Sequence, residues 1–509
     1  MGLDSALSVA NASLANISLA YGVISQNIAN ADTPGFATEQ STQSSLQAGS
    51  MGFGAQAGPT QLATNQSLQS ALYSQNGVAA GATTTSAALT ALQPTLGAVG
   101  QGTDLGSLLG NVGNSFSALL NDPSSQPQQQ AVVNAAQSLT QQINTMSNAY
   151  QQAAQTAQNT LVSQVSQLNT VLGQIGTISD QIVALKGQGG SVADLENQRN
   201  ALCTTVSGLV QAQFAEQPDG DMIVFTPSGV QLPTHSPDPL SLAAATTGPS
   251  LYYPGGGLPG IELGGSDITG QLGGGSIGAN LALRDTTMPT YGAELDEFSQ
   301  NLAGNFSAQG LNLFTDGQGN VPAAGVAGGG TPVQSGYLGF SATITVNPYV
   351  VSNPVAVVNG TQAVAGSPTG ASSFTPNPNN LAGFTGMISR VLDYALGPDV
   401  QQGVAQPPAN TSSLGASGTL AAPFNPPATL GDFANDITAS QSTDAAEATT
   451  QASDGTATQQ SFAGQLQSSV GVNMDSQMSL MIQLQNAYGA NAKIISTIQS
   501  MESTLLAAV

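Results

Sequence analysis

LDSALSVANASLANISLAYGVISQNIAN, residues 3–30, places Leu3, Leu7, Ala10, Leu14, Ile17, Tyr21, Ile24 and Ile28 at alternating steps of four and three. The far end of the 509-residue chain answers with Met474, Met478, Met481, Leu484, Tyr488, Ala492, Ile495, Ile498, Met501 and Leu505. This spacing gathers the apolar side chains on one stripe of a helix, as in a coiled coil. Chain ends are where order is usually lost, so two such stripes predict ends built to pack against other helices. Burial along these seams falls short of the entropy lost in ordering both segments. The ends are therefore expected to order when they meet neighbouring subunits. That is the pattern of an assembly subunit.

Between the ends the period changes repeatedly. A helix from Leu3 to Asn30 should stop at Asp32-Thr33-Pro34-Gly35, and residues 40–104 are rich in Gln, Ser, Thr, Ala and Gly with a weak helical piece near Leu68 and Leu72. Leu105 to Leu120 reads as a helix, and from Val132 to Leu185 apolar residues keep helical spacing for more than 50 residues, far beyond an ordinary globular helix. A shorter helix, Val192 to Val210, should return along it after Gly187-Gln188-Gly189-Gly190. From Pro218 the pattern turns strand-like, with Met222 to Phe225 and Val230 to Leu232, then returns to helix from Thr290 to Ala308. Residues 313–428 mix Gly, Pro, Thr and Val; the alternation in Phe340 to Val346 predicts a strand and only Gly383 to Leu396 a helix.

The fold class that follows is multidomain α+β: a discontinuous long-helix bundle made from both chain ends, with inserted β-rich outer domains. Its expected parts are an N-terminal axial segment (1–40), two pieces of helical rod (41–215 and 429–471), a β-rich segment (216–283), a helical return (284–312), a variable β-rich outer domain (313–428) and a C-terminal axial helix (472–509).

Composition narrows the function. Five Lys and Arg stand against 28 Asp and Glu, a formal net charge of -23, and no basic residue precedes Lys186. Nucleic acid is excluded, since binding it releases counterions only through clustered cations. Anionic membrane surfaces would repel the chain, and no uninterrupted apolar run approaches a membrane-spanning length, so no membrane insertion is expected. The first twenty residues lack the basic start and solid apolar run of a cleaved signal. Such scarcity of cations suits acidic surroundings, where carboxylates protonate and few positive charges are left to repel one another.

No catalytic, cofactor or metal motif is present. The single cysteine, Cys203, reads as a small buried hydrophobe, and His235, between Pro233 and Pro237, as a surface loop residue. Glu294, Asp296 and Glu297 fall near a helix start, where the dipole favours them. Asp219-Gly220-Asp221 is a tight hairpin turn. The charged residues with most to do are structural anchors. Arg199, in a helix with Asp194 and Glu196, can pair with Glu196, and Arg284 is followed by Asp285. Asn473 caps the last helix, with Asp475 in its first turn.

These features together resemble the hook-associated protein 1 family of the flagellar axial superfamily. Ser25-Gln26-Asn27-Ile28-Ala29-Asn30-Ala31-Asp32-Thr33-Pro34-Gly35-Phe36 is similar to the segment shared by flagellar rod, hook and hook-associated proteins. Asp194-Leu195-Glu196-Asn197-Gln198-Arg199-Asn200, then Glu216-Gln217-Pro218-Asp219-Gly220, resembles a more specific family stretch. So do Gly278 through Arg284-Asp285 to Pro289, Tyr291, Leu295 and Asp296, and the run Ser469 to Asp475 followed by Gln485, Tyr488, Ala490 and Ala492. Asn200, Ser476 and Gln477 stand where the family has acidic residues.

The resemblance implies a non-enzymatic structural subunit joining hook to filament, with no cofactor. It implies export to the flagellum through the type III apparatus without signal cleavage. Its partners would be copies of itself, hook protein, the second junction protein, and a cytoplasmic chaperone on the C-terminal helix. Two alternatives remain: another axial protein, hook-protein-like or flagellin-like, or a secreted adhesin whose Tyr252, Tyr253, Tyr337 and Tyr349 stack on sugars. A cell-wall hydrolase would rest on scattered carboxylates alone.

Overall fold

A computed structural model describes residues 3–48, 51–97, 102–235, 237–323, 332–365 and 373–507. Its spine is one very long helix. After α1 (Leu3–Ala29), α2 (Gln66–Leu96) and α3 (Leu105–Asn121), the helix α4 runs from Gln126 to Gly187. At 1.5 Å per residue its 62 residues span roughly 90 Å. Pro127 opens it, where a missing N–H costs nothing. At the other end Gln188 N and Gly190 N donate to the Leu185 carbonyl and Gly189 takes a positive φ of 71°, so the chain reverses into α5 (Ala193–Leu209). Asp104 caps α3 by accepting from Ser107 N at 2.9 Å.

Farther along the chain come α6 (Gly275–Ala282) and α7 (Met288–Ala308), which pack on this spine, four short helices α8 (Phe340–Thr343), α9 (Pro348–Ser352), α10 (Ala356–Asn359) and α11 (Gly386–Arg390), then α12 (Leu430–Val470), packed on α2, α3 and α7, and α13 (Met474–Ala507), packed on α1. The rod is thus discontinuous in sequence. Leu105, Val112 and Phe116 of α3 share a core with Val132, Leu139 and Ile143 of α4, Phe298 and Phe306 of α7, and Phe433 and Ile437 of α12. Phe298 and Phe433 meet edge to face at 5.6 Å and 88°. Farther along, Leu161 to Ile175 of α4 form a second core with Cys203 and Val206 of α5 and with Val224, Leu232 and Ile261 of the first insert.

The sheets are small. Among the described residues every one has two antiparallel strands: β1 (Glu39–Gln40) with β4 (Gln61–Leu62), β2 (Gln43–Ala48) with β3 (Met51–Ala57), β5 (Gln213–Glu216) with β6 (Met222–Phe225), β7 (Glu262–Leu263) with β8 (Ser266–Asp267), and four further pairs between residues 314 and 421. The hairpin β5–β6 turns at Gly220, φ 104°. The architecture is α+β, with long helices at both ends and little hairpins set between them.

Two local expectations are corrected. The alternating run 340–346 is helical over Phe340–Thr343 and extended only at Thr345–Val346. The Asp296 carboxylate accepts from Gly339 N and Ser341 N, fixing a helical turn that side-chain alternation could not reveal. The Gln- and Ala-rich stretch after residue 65 is not weakly helical but a 31-residue helix. Its small residues are what let it pack. A Cβ on Gly77 would lie 3.1 Å from the Ser207 carbonyl oxygen, and one on Gly455 of α12 would lie 3.3 Å from Ala79 Cα.

Close approach also fixes the first insert. At Gly176 of α4 the Thr234 carbonyl oxygen occupies the space a Cβ would need. Gly176→Ala is expected to push the 232–235 segment off the rod and cost about 1–3 kcal/mol, as overpacking does. A urea midpoint lowered together with faster amide exchange at Val224 and Leu232 would show it.

Candidate assembly interface

The candidate interface is built from the two ends. α1 and α13 run antiparallel: Asn27 Nδ2 approaches Gln477 Oε1 at 3.3 Å, Tyr21 Oη donates to the Met481 carbonyl at 3.4 Å, and Asn491 Nδ2 donates to Ser13 Oγ at 2.9 Å. The adjoining side of α1 rests on the β2–β3 hairpin, where Asn16 donates to the Ala55 carbonyl and accepts from Ala57 N. Asn27 likewise holds β1 by bonding the backbone of Glu39 in both directions. α1 is long and apolar enough by length and composition to cross a membrane. Here its buried asparagines instead satisfy strand backbone, as a helix packed on protein requires.

The ends therefore have a local partner, each other, which corrects the expectation that they pair only with neighbours. Ala10, Ile17, Ala20 and Ile24 are buried on α1, and Leu3, Leu7, Leu14, Tyr21 and Ile28 half-buried. On α13 the face toward α1 consists of Gln477, Met481, Leu484, Asn491, Ile495 and Ile498. The rest of the expected seam is uncovered. Met474, Met478, Tyr488, Met501 and Leu505 are exposed, joined by Leu480, Ile482, Ile494 and Leu506. At 100° per residue Met478, Ile482 and Met501 lie off the covered stripe, whereas Tyr488 keeps its register and is still exposed. A heptad count reports that α13 is apolar over more than one face, and polar contacts decide which face α1 takes. The hydrogen-bonding pairs Asn27–Gln477 and Ser13–Asn491 carry no periodic signal, so sequence reading missed them.

The anchors sit as follows. Ser476 N donates to Asn473 Oδ1 at 3.0 Å at the start of α13. Asp194 is exposed and accepts from Gln198 Nε2. Arg199 is buried and reaches away from Glu196: it donates to the Gly220 carbonyl at 2.6 Å and to Glu216 Oε2 at 2.9 Å, tying α5 to the β5–β6 hairpin. Arg284 is buried too, with both carboxylate oxygens of Asp285 at 2.6 and 2.8 Å, Gln158 Oε1 at 2.6 Å and the Pro259 carbonyl at 3.1 Å. It joins α4, the first insert and the start of α7. Burial pushes the Asp285 carboxyl up despite the guanidinium.

The residues with other candidate roles are absorbed by structure. Glu294, Asp296 and Glu297 are buried rather than placed at the helix dipole. Glu297 accepts from Tyr337 Oη, Asn410 N and Asn301 Nδ2, so it holds the second insert to α7. His235 Nε2 lies 3.3 Å from Asp180 Oδ1 and 3.6 Å from Asp221 Oδ1, partners distant in sequence. Burial pushes the Cys203 thiol up to about 12, which suits a packed hydrophobe and not a nucleophile. The four tyrosines of the glycan-binding alternative serve different ends: Tyr337 is buried on Glu297, Tyr253 bonds Asp267, the Tyr252 backbone pairs with Gly256, and Tyr349 stands exposed.

A long helical rod with its two ends zipped together, small hairpin inserts and buried polar groups spent on holding elements in place is a structural subunit. Residues 89–320 match the family described as the flagellar hook-associated protein FlgK helical domain, and residues 464–508 match the flagellar basal body rod FlgEFG protein C-terminal family. The chain thus carries a helical domain similar to that of the FlgK hook-associated proteins and a C-terminal segment similar to that of the flagellar rod proteins. Among solved structures, the flagellar hook junction protein FlgK from Burkholderia pseudomallei is similar at 21% identity and a TM-score of 0.40, over 50% of this chain and 46% of that one. The match thus spans less than half the length of that protein. Comparison with the curated proteins found no match.

Proposed function

We propose that this chain is the structural subunit that joins hook to filament in a bacterial flagellum, working by assembly and not by catalysis. The observation that carries the reading is the zipped pair α1–α13, one face of which is satisfied within the chain while α13 keeps Met478, Tyr488 and Met501 about half exposed (46%, 52% and 53%). Exposed apolar side chains concentrated on one helix need a partner surface. Neighbouring copies of the same subunit supply it, with hook protein and the second junction protein at the two ends of the stack. The hairpin inserts of residues 216–283 and 313–428 then face outward. Export follows the type III flagellar route, with α13 held by a chaperone beforehand.

Replacing Met478, Tyr488 and Met501 together by Ser is expected to leave helicity and the urea midpoint within about 0.5 kcal/mol of the parent, because surface positions are tolerant. The same variant should fail to enter the flagellum, which fractionation of sheared particles would detect. Deleting the gene should give cells that build hooks and shed their filaments. Normal attached filaments in that strain would refute the junction role.

A further inference from the structure

Three carboxyl side chains lie buried on α7, and no Lys or Arg is among the groups facing Glu294 or Asp296. Glu294 is 1% exposed, and among the described residues neither of its carboxyl oxygens accepts a hydrogen bond. The groups around it come from three helices. α4 offers the Tyr150 hydroxyl, already donated to Gln441 Oε1 at 2.7 Å. α12 offers Gln441, whose Nε2 is itself buried without a partner, and Asp444. α7 itself adds Tyr291, which donates to Asp444 Oδ2 at 2.6 Å. One neighbour is an acid, and none is a cation. Asp296, a little over two turns from the α7 N-terminus, is 3% exposed; it accepts from Ser341 Oγ, Ser341 N and Gly339 N and faces Glu297 and Tyr337.

We propose that the contact of α7 with α4 and α12 is a proton-dependent latch, held firmly while the Glu294 carboxyl is neutral and loosened when that carboxyl ionises. The physical basis is desolvation. A carboxylate at this position gains no counter-charge, and the one amide at hand, Gln441, only partly offsets its desolvation, so the interior favours the protonated acid. Burial accordingly pushes Glu294 up to about 8, with Asp444 acting the same way and Gln441 against it, and pushes Asp296 up to about 6. Groups raised in the folded state contribute their stability in full below the unfolded values near 4, and lose it as the pH climbs through the folded values. The latch is therefore tightest in acid and weakens across the range from about 4.5 to 8. Asp267, at the end of β8, and Asp316, in the turn after Thr315, are shifted downward, and neither is among the groups facing Glu294. Acid leaves few charges to repel one another, only five Lys and Arg and one His, and its cost falls on the buried Arg199 and Arg284, which lose their counter-charges.

The chain has no Trp, so urea unfolding of the full-length protein can be followed by tyrosine emission, to which Tyr150 and Tyr291 beside Glu294 contribute. Glu294→Gln mimics the neutral acid. At pH 5 it should match the parent within a few-fold in the folded-to-unfolded ratio; at pH 8 it should exceed the parent on the order of 10²-fold. A ratio between the two proteins that stays constant from pH 5 to 8 would overturn the proposal. If the variant does not fold, the parent alone decides: its infrared spectrum should hold a protonated-carboxyl carbonyl band at pH 7 that disappears on alkalinisation. Absence of that band at pH 7 would equally overturn it. Neither readout depends on assembly, so the latch and the junction role stand or fall separately.

Discussion

Arg284→Met is expected to destabilise the rod by about 3–5 kcal/mol, the range for removing one partner from a buried ion pair. Methionine fills much of the volume but leaves three acceptors stranded: the Asp285 carboxylate, Gln158 Oε1 and the Pro259 carbonyl. The acceptors belong to different elements, so the loss should spread across α4, the first insert and the start of α7. Two controls distinguish this from simple overpacking. Arg284→Met with Asp285→Asn should lose less than the single variant, since no charge is then left uncompensated. The single variant's deficit should also shrink as the pH falls, because a protonated Asp285 needs no guanidinium. Urea midpoints at pH 8 and pH 5 check both; a deficit independent of pH would show that packing, not charge, is what Arg284 supplies.

Truncation after Gly471 is the second large effect. It removes α13 and uncovers Ala10, Ile17, Ala20 and Ile24, a face that the β2–β3 hairpin covers only along one edge. An isolated 27-residue helix without an acidic–basic ladder is marginal in water, because most helical stability in proteins comes from tertiary packing. Amide exchange across residues 3–28 should rise by at least tenfold while α4 and α7 keep their protection. Assembly should be abolished, since the exposed apolar side chains of α13 go with it. Unchanged protection of α1 would mean that the hairpin alone holds it, and retained polymer formation would place the intersubunit contact elsewhere on the rod.

The helices of the rod were legible because each repeats a single apolar stripe. Val132 to Leu185 could be nothing shorter than a long helix, and α3, α5 and α7 begin and end within two residues or so of where periodicity and caps put them. α2 escaped notice since Gly77, Gly81 and the run of Ala and Thr after them give no apolar period; close packing on α12 and α6 makes the helix. The strand expected at Phe340 to Val346 gave way to Asp296, forty-five residues earlier in the chain. The ends were read correctly as apolar helices and incorrectly as lacking a partner in their own chain. Spacing locates a stripe, yet says nothing of which stripe another helix will take.

What the sequence determined by itself is the part of this protein governed by neighbours along the chain: helix lengths, breaks, caps, the poverty in cations, and the family segments at both ends. Tertiary structure alone decided which faces meet. It turned Arg199 from Glu196 to Glu216, gave His235 two carboxylates, and set Glu294 among Tyr150, Gln441 and Asp444. Those outcomes depend on desolvation and on partners brought in by other elements of the fold, and neither quantity is a property of local sequence.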